Sequence, residues 1–517
     1  MKKRISGILL AVVLMVGTGT MAQIRIPGGS IKPPAPSVQQ RTKPNAKPRP
    51  KREEPQPAER QASRQEARPK QPVEKRYDVM FNCNVPNADL YIDGDYEGEA
   101  DIILKLLEGS HEIKVVADYY NDYATTIHVS SSKKSFEINM TEKTDAESQY
   151  AIGMNYREGR SGFPKNDTQA AKHFGNAAKQ GHTDAQVNLA WCYEHGYGVK
   201  QDVKQALAWY TEAANHGQVL AQLNLGIWYA KGHVLPQNDV EAAKWMRKAA
   251  MQGDSTAQWL LGGFYFLGTG VEQDYNEAFK WFKKAADQGD AHAIDLLGTC
   301  YLRGHGVEQN YPEAVRCFKI AASNGVSGSE YALGQCYFNG WGVPKDLAEA
   351  IKWFRKAAER GDLAAQADLG FCLIQFGKPQ DYPEAVKWLQ KAADKGNASA
   401  QNTMGLCYFT GKGFSQDYDK ALYWYKKAAD QGYASSQRNL GYFLLEGIGI
   451  RVNHDEAFRW FKAAAEQEDA EAQYYMGYCY EKGYGVKKNK QEAIKWYKKA
   501  AKQDNADATS ALRRLGY

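Results

Sequence analysis

Few side chains in this sequence stand where they could do covalent chemistry. Ser131 and Lys134 form a Ser-x-x-Lys pair, the opening of the site in β-lactam-binding serine enzymes. No Lys-Thr-Gly accompanies it, and Ser131 falls in a stretch that reads as a β-turn, so the match is one of spelling. There is no His-Glu-x-x-His, no phosphate-binding Walker loop and no Gly-x-Ser-x-Gly. The Gly-x-Gly pairs, such as Gly268-x-Gly270, lie inside helical hairpins rather than after a strand, which makes them turns and not phosphate cradles. The 10 histidines are scattered without metal-ligand spacing. Six of the 8 cysteines (Cys192, Cys300, Cys336, Cys372, Cys407, Cys479) recur at one position of a repeating unit, and none makes a Cys-x-x-Cys. Equivalent helices of successive units should lie roughly 10 Å apart, beyond the ~7 Å that a disulfide spans. They read as small buried thiols. No catalytic residue, cofactor or metal ligand is expected, and the chain reads as non-enzymatic.

The elements that carry these residues change character along the 517 positions. Residues 1–22 read as a secretory signal: Lys2, Lys3 and Arg4, an apolar run from Ile8 to Val16, then Thr20 and Ala22 before Gln23. That run is too short to span a bilayer comfortably, and no cysteine follows it closely to take a lipid. The mature chain is expected to be exported, periplasmic or secreted, with no transmembrane span. Residues 23–76 hold 11 of the 18 prolines, and residues 24–76 carry 14 Lys/Arg against 5 Glu. Such a stretch buries too little apolar surface to offset chain entropy and reads as a disordered linker. The signal contributes +3 and this linker +9, which leaves −6 for 77–517 out of the formal +6. A nucleic-acid-binding solenoid would carry a basic face, so nucleic acid is not an expected partner.

From Tyr77 apolar residues alternate with polar ones. Val79, Phe81, Cys83 and Val85 form one run and Ala88 to Ile92 a second, ending at Asp93-Gly94. Ile113 to Val116, Thr125 to Val129 and Phe136 to Met140 follow. Short alternating runs between Gly, Asp and Asn turns predict a small antiparallel β-sandwich over 77–141. Beyond a polar hinge, self-similarity sets in at a period of 36 residues. Units start near Ser148, Ala185, Ala221, Ala257, Ala293, Ser329, Ala365, Ala400, Ser436 and Ala472. These give ten repeats over 148–507 and a capping helix over 508–517. This is the mark of a helical-hairpin solenoid. In the unit AQWLLGGFYFLGTGVEQDYNEAFKWFKKAADQGDAH, Ala257, Leu261 and Tyr265 share one helical face. Gly262 lets the partner helix approach, and Gly268-x-Gly270 ends the first helix. Asp274 with Glu277 caps the second, as do Asn310/Glu313, Asp346/Glu349 and Asp381/Glu384. Ala278, Trp281 and Ala285 form its expected buried stripe. Eight of the 12 tryptophans share the Trp281 position and are read as core, so Trp353→Ala is expected to cost ~3–5 kcal/mol. The seventh unit loses its Gly-x-Gly and one residue around Phe376 to Pro379, which predicts a shorter loop.

Two resemblances rest on these residues. Pro86-x-Ala88-x-x-Tyr91-Ile92-Asp93-Gly94-x-x-x-Gly98, followed by Leu107-x-Gly109-x-His111-x-Ile113-x-Val115, resembles the PEGA domain of bacterial envelope and signalling proteins. Asn87 stands in place of that motif's glycine, and Ala100-Asp101 in place of its Thr-Pro. Leu-Gly-x-x-Tyr, Gly-x-Gly-Val and Ala-x-x-Trp-[Tyr/Phe]-x-x-Ala-Ala recur in register over 148–517, and resemble the Sel-one-like repeats, relatives of the tetratricopeptide repeats. The resemblance implies a mainly α-helical superhelix behind a β-sandwich, an α+β multidomain chain whose first helices line a groove. Positions 3, 7 and 10 of each unit would face it: Trp191, Trp259, Phe266, Tyr331, Phe338, Phe371, Phe409, Tyr442, Tyr474 and Tyr478. Asn188, Asn224 and Asn439 resemble the asparagines with which tetratricopeptide grooves hold a peptide backbone. A solvated helix face is mostly charged, and a row of aromatics marks an interaction surface. The expected function is an exported scaffold or adaptor that binds a protein or peptide in the cell envelope. The alternatives are a glycan- or peptidoglycan-binding envelope protein, since aromatic rings also stack on sugars, and an enzyme acting on β-lactams or peptidoglycan.

Overall fold

The computed structural model describes residues 74–85, 87–232 and 235–517; the signal and nearly all of the linker expected from sequence lie outside them. The chain divides into two compact units, one ending at Trp228 and the other running from Tyr229 to Tyr517.

The first unit opens with seven strands: β1 (Arg76–Cys83), β2 (Asp89–Ile92), β3 (Asp95–Glu99), β4 (Ile102–Leu107), β5 (Gly109–Val116), β6 (Tyr123–Val129) and β7 (Ser135–Ile138). They form a three-stranded sheet, β4-β1-β7, and a four-stranded sheet, β3-β2-β5-β6. The period of two is obeyed: Val79, Phe81, Leu90, Ile92, Ile113, Val115, Ile127, Val129, Phe136 and Ile138 are all buried. Two features differ from the expected antiparallel sandwich. The strand β4 has apolar residues on both faces, with Ile103 exposed, so alternation does not reveal it. The pair β1–β7 is parallel, with Phe81 opposite Phe136. The intervening strands supply the long crossover that a parallel pair requires. Asn87, in place of a glycine, has φ 58°, a left-handed conformation that asparagine tolerates better than other side chains. The Asp93-Gly94 turn is tied to β5: the Asp93 carboxylate accepts the Glu112 N–H at 2.8 Å and meets His111 Nδ1 at 2.6 Å.

Twenty-one helices follow between Ala146 and Leu515, and each repeat contributes a first (A) and a second (B) helix. Their ends follow from local chemistry. In the fourth repeat the A helix, Ser255–Leu267, stops at Gly268 with φ 70°. The B helix, Tyr275–Asp287, starts where the Asp274 carboxylate accepts the N–H groups of Asn276 and Glu277. Asp254, Asp290, Asp362, Asn397 and Asp469 cap A helices in the same way. The seventh repeat departs. Its A helix runs one residue longer, Leu363–Phe376, and a 3-10 turn, Pro379–Asp381, leads into its B helix, Tyr382–Asp394. Asp381 is therefore not the expected N-cap: it accepts the Lys378 N–H at 2.8 Å and caps no B-helix amide. The loop is shortened, as expected.

The hairpin cores correct the tryptophan assignment at most positions, Trp245 and Trp424, each 8% exposed, being buried as expected. The fully buried B-helix side chain is the residue after the tryptophan: Tyr210, Phe282, Phe354, Tyr425, Phe461 and Tyr497 are each at most 2% exposed. Each of these except Tyr210 faces an A-helix glycine. A Cβ on Gly262 would lie 2.6 Å from the Phe282 ring, and one on Gly477 2.5 Å from Tyr497. Ala190 stands at that position opposite Tyr210. Most of the tryptophans sit at the rim, half-buried, with a lysine three residues on over the ring: Lys284 on Trp281 at 4.0 Å, Lys356 on Trp353 at 4.1 Å, Lys499 on Trp496 at 4.1 Å. Both residues are at helical distance from Ala278 and Ala285, at i+3 and i+4, so spacing alone does not separate them.

Neighbouring repeats are joined by a glutamine that sequence patterning did not single out. Gln258, buried at the second position of its unit, donates through Nε2 to the Ala250 carbonyl of the preceding B helix at 3.1 Å. Its Oε1 accepts from Gln288, at the end of its own B helix, at 2.8 Å. Gln401, Gln437 and Gln473 repeat both bonds. In the sixth repeat the pair becomes Glu330 and Arg360, 3.0 Å apart.

Candidate functional site

The A helices hold the predicted groove residues, and the structure gathers them into separate groups. In the first unit Trp191 stacks on Tyr197 at 4.6 Å, under the Arg157 guanidinium at 5.3 Å. Arg157 also donates to Asn188 Oδ1, and Asn188 Nδ2 donates to the Asp184 carbonyl at 2.8 Å. Asn224 is half-buried. In the second unit Trp259 is only 8% exposed and belongs to the core beside Phe282. Phe266 is half-buried among Tyr275, Phe282 and His305. Phe409 packs on Phe443 at 5.3 Å. Tyr442 and Tyr474 meet through Tyr475, at 5.9 and 5.3 Å, and Tyr474 stacks on Tyr478 at 6.4 Å. Asn439 donates to Asn402 at 3.2 Å, so it, like Asn188, is engaged with the neighbouring repeat.

The sixth and seventh repeats bring the most together. Tyr331 donates its hydroxyl to Asp368 Oδ2 at 2.9 Å and accepts from Gln335 at 2.7 Å. On the same faces Phe338 and Phe371 each lie 6.2 Å from Phe376, whose ring is 52% exposed. Asp368, Gln335 and Phe376 were not predicted. Phe376 reaches this face because the missing Gly-x-Gly lets its A helix run on, a signal visible in the sequence. Asp368 occupies the fourth position, where other units carry Asn188, Asn224 and Asn439.

Buried acids mark these A helices. Asp295 is 8% exposed, and burial pushes its carboxyl up to about 6 from the ordinary 3.8, against the Ser329 hydroxyl that donates to it. The folded chain thus holds this proton more tightly than the unfolded one. The stability gained is full below about pH 4 and is lost as pH rises through about 6. Asp295→Asn keeps an acceptor for Ser329 and removes the charge. That variant is expected to be more stable than the parent by about 3 kcal/mol at pH 8 and no more stable at pH 4. Thermal melts at the two pH values check it; equal melting at pH 8 would mean that the carboxylate is solvated.

The repeated cysteines are free. Burial pushes the Cys300, Cys336, Cys372, Cys407 and Cys479 thiols up to about 12, which suits packing rather than nucleophilic attack. Ser131 and Lys134 are exposed between β6 and β7. Among the described residues no cluster of His, Cys, Asp or Glu could hold a metal, and no helix is long and apolar enough to cross a membrane.

The glycine–ring contact and the 36-residue hairpins have a counterpart in sequence. The Sel1 repeat profile matches ten consecutive segments, the first at 146–182 and the last at 470–505. The chain belongs to the Sel1 repeat family. A PEGA domain profile matches residues 76–145. The Sel1 repeat protein c5321, described as a protective antigen present in uropathogenic Escherichia coli strains and displaying an SLR fold, is 36% identical. Its TM-score is 0.60, over 72% of this chain and 80% of c5321. A Sel1 repeat protein from Oxalobacter formigenes is 31% identical over 47% of this chain and 96% of its own, with a TM-score of 0.44. Among curated proteins none matches. Sel1 repeats form a fold generally used for protein–protein interaction, and proteins of the family are typically non-catalytic. PEGA domains are typical of exported proteins.

Proposed function

We propose that this Sel1 repeat protein is an exported, non-catalytic scaffold that binds a protein or peptide partner in the cell envelope through the A-helix face of its second unit. The observation that carries this reading is the contiguous set of rings at Phe338, Phe371 and Phe376, with one ring 52% exposed on a face where charge would be ordinary. Rigid, partly exposed aromatics bring large contact area at low entropic cost, and such residues dominate binding energy. The PEGA domain supports an exported location. A photoreactive residue at Tyr442 or Phe338, activated in cells, is expected to capture a discrete envelope protein. Capture should persist in high salt, which screens exposed charges but not apolar contacts. Cross-linking that vanishes in high salt, or equal labelling from the exposed B-helix residue Tyr423, would sink the assignment.

A further inference from the structure

The two sheets of the β-sandwich end on four edge strands, and three of them offer little to a partner. The strand β3 carries Asp95, Glu97 and Glu99, and its pairing with β2 shifts register after Leu90. The strand β7 is four residues long. The strand β6 exposes Ala124, Thr125, Thr126 and His128, with no large apolar side chain among them. Acids, bulges and short length are ordinary guards of a sheet edge. The strand β4, Ile-Ile-Leu-Lys-Leu-Leu, has Lys105 as its one guard. Its register with β1 is unbroken over six residue pairs, and its other edge meets no strand among the described residues. Both faces of β4 are left unfinished there. On the core side Ile102, Leu104 and Leu106 stay half-buried, whereas Val79 and Phe81 of the adjoining β1 are 0% exposed. On the outer side Ile103 is 59% exposed beside its cross-strand neighbour Met80, which is 41% exposed.

We propose that β4 pairs with β4 of a second copy of this chain, antiparallel about a two-fold axis at Ile103. Opposite residues of such a pair share a face, so the register decides which charges meet. Centred on Lys105, the two lysines would face each other and repel. Centred on Leu104, Lys105 would face Ile103. Centred on Ile103, Lys105 of each copy faces Asp101 of the other, Ile103 faces Ile103, and Ile102 faces Leu104 on the core side. That register sets opposite charges together and apolar residues together. Asp101 is exposed. Its Oδ1 accepts the Cys83 N–H at 2.8 Å, which fixes the carboxylate at the start of the strand and leaves Oδ2 to take the lysine. Asp78, the β1 neighbour of Lys105, extends the row to acid, base, acid. Two-fold symmetry makes each of these contacts twice, and main-chain hydrogen bonds supply affinity as in other strand additions. The product is one sheet in the order β7-β1-β4-β4-β1-β7, with Met80 and Ile103 of both copies in a single apolar row. This surface belongs to the PEGA domain and is independent of the A-helix face proposed above.

The purified full chain is expected to dimerise reversibly, its mass in sedimentation rising with concentration towards twice that of the monomer. Ile103→Cys should yield a disulfide-linked dimer on mild oxidation, because opposite Cβ atoms of paired strands lie about 5 Å apart, within reach of a disulfide. The parent, in which Cys83 is the one cysteine not buried, is the control and should yield none. Lys105→Cys should link at least about tenfold less than Ile103→Cys, since the two copies of that residue stand four residues apart in this register, about 14 Å. Lys105→Glu sets an acid against Asp101 and should raise the dissociation constant about tenfold or more, with the circular dichroism of the parent retained because the side chain is exposed. A chain that stays monomeric, linking at position 105 equal to that at position 103, or a dimer indifferent to Lys105→Glu would each overturn the proposal.

Discussion

Phe354→Ala is expected to destabilise the second unit by about 3–5 kcal/mol. The ring is 2% exposed. It lies where a Cβ on Gly334 would be only 2.4 Å away and packs against Tyr331 at 5.8 Å. Its removal leaves a hole between two helices whose close approach depends on that ring, and the flanking Ala350 and Ala357 are too small to fill it. Trp353→Ala, at the neighbouring position, should cost about 1–2 kcal/mol, because half-burial halves the transfer gain. Its indole N–H, moreover, is buried without an acceptor, which subtracts from what the ring contributes. Urea midpoints of the two variants check the order, with hydrogen exchange over 327–362 to locate the change. An array of repeats need not unfold in one step, so the local readout carries the comparison. A larger loss for Trp353→Ala would return the tryptophans to the centre of the core.

Gly270→Ala should be comparably severe, by about 3 kcal/mol or more. Gly270 has φ 67°, and a Cβ there would lie 2.0 Å from the Asp239 carbonyl oxygen and 2.3 Å from its carbon. The Cβ is fixed by the backbone at Gly270 and its neighbour is main chain, so no rotamer change relieves the clash; the B helix of the third repeat would have to move. Gly289→Ala isolates the conformational part. It has φ 86° and open space around its Cβ direction, so only the left-handed cost of about 1–2 kcal/mol applies. Thermal melts of the two variants should differ by several degrees. Coincident melts would show that the packing of loop on helix adds nothing.

These residues show what the sequence discloses and where it stops. Period, helix ends and the glycines of the hairpins were legible because each reflects a local backbone demand. The choice between Trp281 and Phe282 was not, since both lie a helical step from the same alanines. The deciding partner, Gly262, sits twenty residues earlier on another helix. The strand β4 was missed because both its faces are apolar, and Asp295 and Asp368 because a carboxylate on a helix face ordinarily reads as solvated. The A-helix rings were legible as a list of residues. Their grouping was not, because it depends on which neighbours, such as Tyr475 and Phe376, bridge them.

The glutamine at the second position of the unit has a further consequence. It reads a main-chain carbonyl on one side and another glutamine on the other, so this part of the joint asks nothing of the neighbouring side chains beyond that glutamine. Units in which both bonds form, those of Gln258, Gln401, Gln437 and Gln473, share one joint. The next residue along the A helix varies: Trp259, Asp295, Tyr331, Ala367, Asn402, Arg438 and Tyr474 occupy one structural place. A constant joint beside a variable letter lets such a chain be rewritten, shuffled or lengthened one unit at a time without redesigning its architecture.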